Sequence, residues 1–179
     1  MKRLLAIIAL MFAASSVHAS MIWMAVAVDA KQVGEFTKNE ELLAHTLLKA
    51  KGEKAINLDK AWHGIHYLLN GTAWEVTSVA GQAILGGKEF GTDMGYGPPR
   101  VLSTEEVKKL AKALSVVTSQ QLSARYDPQV MEKMEIYPTI IWRREGTDAL
   151  KWLLDDYAEL SKFYRQAAEK EQAVIIVIM

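Results

Sequence analysis

The stretch LDKAWHGIHYLLNG, residues Leu58–Gly71, predicts a short helix around which the rest of the chain is arranged. Asn57 is expected to cap its first turn, because an Asn side chain accepts hydrogen bonds from the free N–H groups there. Gly71 is expected to end it, since glycine adopts the left-handed conformation without steric cost. At about 100° per residue, one face of this helix is apolar, and consists of Leu58, Ala61, Ile65, Leu68 and Leu69.

The opposite face of the helix carries a polar stripe of Asp59, His63, His66 and Asn70, with Trp62 at its border. One interpretation is a solvated face with an acid near the helix N-terminus. A second is the wall of a binding pocket, with Trp62 as platform and His66 as polar contact. A third is a metal site made by His63, His66 and Asp59. The metal site is the least favoured, because zinc takes about four ligands and the chain has no Cys. We therefore predict neither a metal nor a cofactor.

The N-terminus has the pattern of a secretory signal peptide. Lys2 and Arg3 form a basic start, an apolar run covers Leu4–Ala14, and small residues precede a cleavage position after Ala19. This run is too short to span a bilayer, which takes about 20 apolar residues. We therefore expect residues 1–19 to be removed, and a periplasmic or secreted protein to remain.

The remaining chain, Ser20–Met179, has the length of a single domain. The whole sequence is 50% hydrophobic with a formal net charge of +0. No basic patch indicates a nucleic-acid partner, and no second apolar stretch indicates a membrane span after signal cleavage.

Two continuous apolar runs, Met21–Val28 and Ala173–Met179, predict buried strands that pair in the middle of one small sheet. Helix signals fill most of the chain between them, and Thr139–Trp142 is expected to be extended. The prediction is an α+β fold, a single helix-rich domain packed as one layer of helices on a small central sheet. The expected helices begin at the caps Asp29, Asn39, Ser103 (with Glu106 as its capping-box partner), Asp127 and Thr147 or Asp148, and a shorter one covers Gln120–Ala124.

The segment Thr72–Pro99 contains six glycines and no clear periodicity. Glycine permits positive φ and close backbone approach, so the segment is either an irregular loop packed over the core or a loop that borders a site. In the second case its contacts would be Asp93, Tyr96 and Arg100.

The sequence resembles the YfbM-like family, small bacterial proteins that carry a domain of unknown function. The resemblance rests on Leu58–Gly71, Gly95–Arg100 and Glu135–Pro138, together with Gly86-Gly87, Glu105–Val107 and Phe163-Tyr164. It covers essentially Met21 to the end and implies an α+β fold without an established activity. In the family pattern Trp62 and His66 match whereas the position of His63 varies, which favours the pocket over the metal site. Typical members begin near Met21, so the signal peptide is an addition.

These features favour a binding module of the periplasm, of which an inhibitor or immunity protein against a toxin would be one form, and leave open whether the protein is an enzyme. One alternative is an envelope protein that binds a small ligand. Another is a hydrolase that uses His66 as general base with Asp59 or Glu135 nearby, although no catalytic motif accompanies that histidine. The partner would be a toxin, another envelope protein or a small molecule. The candidate binding residues are Asp59, Trp62, His63, His66, Tyr96, Arg100 and Tyr137.

Overall fold

The computed structural model describes residues 20–179, so the expected signal peptide lies outside the described part of the chain. This part forms one five-stranded antiparallel sheet and nine α-helices. The strands are β1 (Trp23–Val28), β2 (Ala55–Asp59), β3 (Lys88–Glu89), β4 (Arg100–Leu102) and β5 (Ala173–Ile178). The helices are α1 (Ala30–Phe36), α2 (Glu40–Lys49), α3 (Ala61–Asn70), α4 (Gln82–Leu85), α5 (Thr104–Leu114), α6 (Ser119–Arg125), α7 (Pro128–Lys133), α8 (Ile141–Glu145) and α9 (Thr147–Glu169).

The two apolar runs form the middle of the sheet, as predicted. β1 and β5 pair antiparallel from Trp23 opposite Ile178 to Val28 opposite Ala173. The strand order is β2-β1-β5-β4-β3, so each of these two strands has a neighbour on both sides. The prediction of an α+β fold is confirmed.

Helices cover both faces of this sheet, so the prediction of a single helical layer is wrong. Successive residues of a strand point to opposite faces. Ala25 and Ile176 pack in the larger core with α3, α5 and α9. Val26 and Ile175 pack instead in a second core beneath α1 and α2. An uninterrupted apolar strand is the pattern that two covered faces require.

The central helix begins three residues later than the sequence predicted. Residues Ala55–Asp59 are a strand, because they pair with β1 at the edge of the sheet. Asn57 therefore does not cap the helix, and its Oδ1 accepts from the Asp59 N–H in a tight turn. Asp59 adopts a positive φ of 44° there. The expected end is confirmed, since Gly71 is left-handed at φ 73°.

The other helix signals were mostly correct. The caps at Asp29, Asn39 and Asp127 form as predicted, and so does the Ser103–Glu106 capping box. The α6 helix is present where a short helix was expected.

Two predictions between α7 and α9 were wrong. The segment Thr139–Trp142 was predicted to be extended, but its last two residues begin α8. Trp142 is completely buried there, and its Nε1 donates to the Ile136 carbonyl at 2.7 Å. The long helix α9 follows Gly146, at φ 53°, without a side-chain cap from Thr147 or Asp148.

The central helix α3 packs closely against α8 and α9. A Cβ atom on Gly64 would lie 2.7 Å from side-chain atoms of both Leu153 and Trp142. This glycine permits the approach that places the His-bearing face of α3 inside the protein. None of the helices within residues 20–179 has the length and apolar character needed to cross a membrane.

Candidate functional site

Both histidines of the central helix are completely buried. His63 and His66 have 0% exposure, as does Trp62 beside them. The interpretation of this stripe as a solvated face is therefore wrong. A surface helix normally leaves one face in water, but residues 72–81 fold back over α3 and remove that face from solvent.

His63 is fixed by two backbone groups on opposite sides of its ring. The Tyr137 N–H donates to Nδ1 at 2.9 Å. Because Nδ1 must accept, the ring proton is on Nε2, which donates to the Ala73 carbonyl at 2.7 Å. Burial lowers the pKa of His63 to about 4, and the bond to Ala73 only partly opposes this effect. The imidazole is thus neutral, and it ties Ala73 to Tyr137 across α3.

His66 has only one of its two ring nitrogens satisfied. Asn70 Nδ2 lies 3.2 Å from Nδ1, whereas Nε2 is buried with no hydrogen-bond partner in residues 20–179. Burial lowers the pKa of His66 to about 4, with a smaller effect in the same direction from the charge that His63 carries when it is protonated, and the backbone of Glu75 opposes this shift. No oxygen between residues 20 and 179, the Glu75 carbonyl included, is in hydrogen-bond geometry with Nε2. The Glu75 carbonyl accepts from Thr72 Oγ1 at 2.7 Å.

The exposed Trp74 lies directly over the buried rings of Trp62 and His63. The Trp62 and His63 rings stack at 4.7 Å with an angle of 10°, and the Trp74 ring follows at 4.4 Å from His63. Trp74 is 59% exposed. Tyr137 lies at the side of the stack, 6.5 Å from Trp62. The rings of Trp62, His63 and Trp74 thus extend in contact from the buried core to the protein surface.

Asn70 holds the loop that carries Trp74. Its Oδ1 accepts from the N–H groups of Thr77 at 2.9 Å and Ser78 at 3.2 Å. The two N–H groups of its Nδ2 are shared between His66 Nδ1, the His66 carbonyl at 3.2 Å and the Gly81 carbonyl at 3.4 Å. The loop is therefore fastened to the end of α3 at several points, although it contains no helix before α4.

The remaining candidates do not join this cluster. Asp59 is exposed at the end of β2. Arg100 forms an ion pair with Glu89 and donates to the Leu85 carbonyl at 3.2 Å, so it holds β3 and α4. Tyr96 is 42% exposed. Asp93 accepts from the backbone of its own loop, at Gly95 and Gly97.

In the part of the chain that the structure describes, no three His, Cys, Asp or Glu residues are placed to hold a metal ion.

The sequence reasoning therefore identified the buried half of the cluster and missed its exposed half. It brought together Trp62, His63, His66 and Tyr137, but it did not single out Trp74. A lone tryptophan in the polar segment that follows the helix end was the available signal. A side chain of this size is rarely placed in a loop without something to pack against.

The sequence from residue 20 to residue 177 matches the family model described as Domain of unknown function (DUF1877). The fold is similar to a solved structure titled as a protein of unknown function, YfbM from Escherichia coli, with a TM-score of 0.74. The two sequences are 18% identical, and the match covers 89% of this chain and 100% of that one. No functionally curated protein matches the sequence.

Proposed function

Since this chain belongs to the DUF1877 family of domains of unknown function, we propose its role from its own geometry: it is a non-catalytic binding module, and a partner protein docks on the Trp74 surface. We define the Trp74 surface as the exposed apolar side chains of residues 74–79, namely Trp74, Val76 and Val79. The observation that supports the proposal is the exposed Trp74 ring seated on the buried His63–Trp62 stack.

The composition of this surface suits a protein interface. Trp74 is 59% exposed, and the nearby Val76 and Val79 are 39% and 50% exposed. Tryptophan is among the residues that most often dominate binding energy at interfaces. Exposed apolar side chains that cluster in one segment are also more informative than the same side chains scattered singly.

The Trp74 surface is organised before any partner binds. His63 joins the loop to Tyr137, and Asn70 fastens Thr77 and Ser78 to the end of α3. Immobilising a side chain or loop on binding costs roughly 0.5–1.5 kcal/mol for each flexible side chain. A loop that is already fixed avoids part of this cost, which is the advantage that the buried histidines supply.

The geometry supports a hydrolase less well. A general base needs a nitrogen that reaches substrate and a neighbouring group that tunes its pKa. Both nitrogens of His63 are bonded to backbone. His66 pairs with the neutral amide of Asn70 rather than with Asp59 or Glu135, and its pKa of about 4 makes it a weak base.

The proposed partner is a toxin or another protein of the envelope, and its location follows from the expected signal peptide. This part of the proposal depends on export, which the N-terminal sequence predicts. An inhibitor of this kind would act by covering its target with the Trp74 surface, since no chemical step is required of it.

The experiment compares Trp74→Ala with Leu48→Ala. Leu48 is 78% exposed on α2, which covers the other face of the sheet, so this control removes an apolar side chain remote from the Trp74 surface. Tagged proteins would be captured from the periplasm of the native host, and any stoichiometric partner would be identified, purified and titrated. We expect Trp74→Ala to weaken the complex by about 2 kcal/mol or more, the usual threshold for a dominant interface residue, and Leu48→Ala to leave it unchanged.

Circular dichroism would establish that both variants are folded. A partner that binds the Trp74→Ala variant as tightly as the parent would contradict the proposed surface. Recovery of the protein from the cytoplasm alone would contradict the envelope part of the proposal.

A further inference from the structure

A cleft of about 340 Å³ lies between the end of α3, the loop before α4 and the helix α6. Its apolar lining includes Leu69, Ala80, Val117 and Leu122. Small-molecule sites are mostly apolar and have volumes of roughly 300–1,000 Å³. The cleft is therefore at the lower end of the range for a small ligand. It shares no side chain with the Trp74 surface, although its lining residues Ser78 and Ala80 flank Val79.

Arg125 brings a fixed positive charge to this cleft. Its Nη1 donates to the carbonyls of Leu68 at 2.9 Å and Leu69 at 3.0 Å, at the C-terminus of α3. A helix end carries only about half of a negative charge. Between residues 20 and 179 Arg125 makes no ion pair, and its exposed side chain uses only Nη1 in the two bonds to α3. The other N–H donors of the guanidinium therefore remain available to a ligand at the rim of the cleft.

Gln121 contributes a second donor on the same face of α6. Residues four apart on a helix are neighbours, so Gln121 and Arg125 lie side by side, and both line the cleft. The Gln121 Oε1 accepts from the Thr118 N–H at 2.9 Å in the cap of α6. Its amide nitrogen has no hydrogen-bond partner in the described chain, so the cleft offers an amide donor next to a guanidinium.

We propose that this cleft binds a small apolar monocarboxylate. The carboxylate accepts from Arg125 and Gln121, and the hydrocarbon chain lies along Val117 and the small exposed parts of Leu69 and Ala80. Arginine and a carboxylate form charge-assisted hydrogen bonds, which are stronger than bonds between neutral groups. A neutral ligand of the same length would leave the guanidinium without its counter-charge and would bind more weakly.

The test is an NMR titration of the isotopically labelled protein with octanoate and with octan-1-ol as neutral analogue. We expect saturable shifts of the backbone amides of Ser78, Leu122 and Arg125 with octanoate, and at least tenfold weaker binding of octan-1-ol. The same spectra would show whether the Trp74 surface is affected, so this result is independent of the proposed function.

The informative variant is Gln121→Glu. A glutamate keeps an acceptor for the Thr118 N–H, and it is a standard member of the capping box, so α6 is preserved. It also replaces the amide donor by a negative charge beside the ligand carboxylate. We expect octanoate binding to fall at least tenfold and octan-1-ol binding to remain unchanged, with Arg165→Gln, an exposed arginine on α9, as the control that changes neither.

Equal binding of octanoate and octan-1-ol would overturn the assignment, and so would a Gln121→Glu variant with parental affinity for octanoate. Shifts confined to another part of the protein would overturn it as well.

Discussion

Lowering the pH from 6.5 to 4.5 is expected to destabilise the protein, because folding keeps two buried imidazoles neutral. The pKa values of His63 and His66 are lowered from 6.5 to about 4. Within this window the unfolded chain takes up protons that the folded chain refuses, so the free energy of unfolding decreases as the pH falls. The loss ends below pH 4, where the folded histidines are protonated as well.

One carboxyl group opposes this trend. Burial raises the pKa of Asp156 from 3.8 to about 6; a hydrogen bond from Trp152 lowers it, and the charges of Asp155 and Asp59 raise it further. In the same window the folded chain therefore binds one proton that the unfolded chain does not, which stabilises the fold as the pH falls. Near pH 5.5 the unfolded chain holds about one proton more than the folded chain in total. Each such proton changes the stability by about 1.4 kcal/mol per pH unit.

From these numbers, the parent protein should lose about 2 kcal/mol of unfolding free energy between pH 6.5 and 4.5. The Asp156→Asn variant removes the opposing proton while keeping an acceptor for Trp152, and it should lose about 4 kcal/mol over the same interval. Urea denaturation followed by tryptophan fluorescence at several pH values measures both slopes. A variant whose stability is independent of pH, or whose slope is smaller than that of the parent, would refute the reasoning.

Two further predictions compare matched positions on the helices. His63→Leu leaves the Tyr137 N–H and the Ala73 carbonyl unpaired and should cost about 2–4 kcal/mol at pH 7. His66→Leu loses the 3.2 Å contact of Nδ1 with Asn70 but also removes the unpaired Nε2, so it should change stability by about 1 kcal/mol or less. Chemical denaturation distinguishes the two variants, and equal losses would contradict the assigned bonding. Gly64→Ala should cost about 1–3 kcal/mol through overpacking. Gly34→Ala, where a Cβ would meet nothing within 4 Å, should be neutral or stabilising by up to about 1 kcal/mol. Melting temperatures measure both variants, and a neutral Gly64→Ala would refute the close approach of the helices.

Local signals predicted those parts of the fold that local interactions determine. The caps at Asn39 and Asp127 and the Ser103–Glu106 capping box each depend on residues within one helical turn. The pairing of β1 with β5 was predictable because both runs are apolar on both faces. The start of α3 was not, since β1 draws Ala55–Asp59 into the sheet and overrides the helical signal at Leu58.

The candidate site was predicted only in part, because the sequence signals that were available are local to α3. Periodicity placed His63, His66 and Trp62 near one another on α3, but it could not decide between a solvated face, a pocket wall and a metal site. Burial of that side depends on the loop that carries Trp74, and on Tyr137, which is distant in sequence. No pattern within the helix contains this information.

The pairing of β1 with β5 also determines when the sheet can assemble during synthesis. Val28 is opposite Ala173, and Trp23 is opposite Ile178, so nearly the whole domain separates the partners. Contacts between residues so far apart in sequence form slowly, because a long loop has to close first. A growing chain on the ribosome therefore presents an apolar β1 without its central neighbour until residues 173–178 have emerged. For that period the backbone N–H and C=O groups of β1 that pair with β5 in the folded protein have no partner strand.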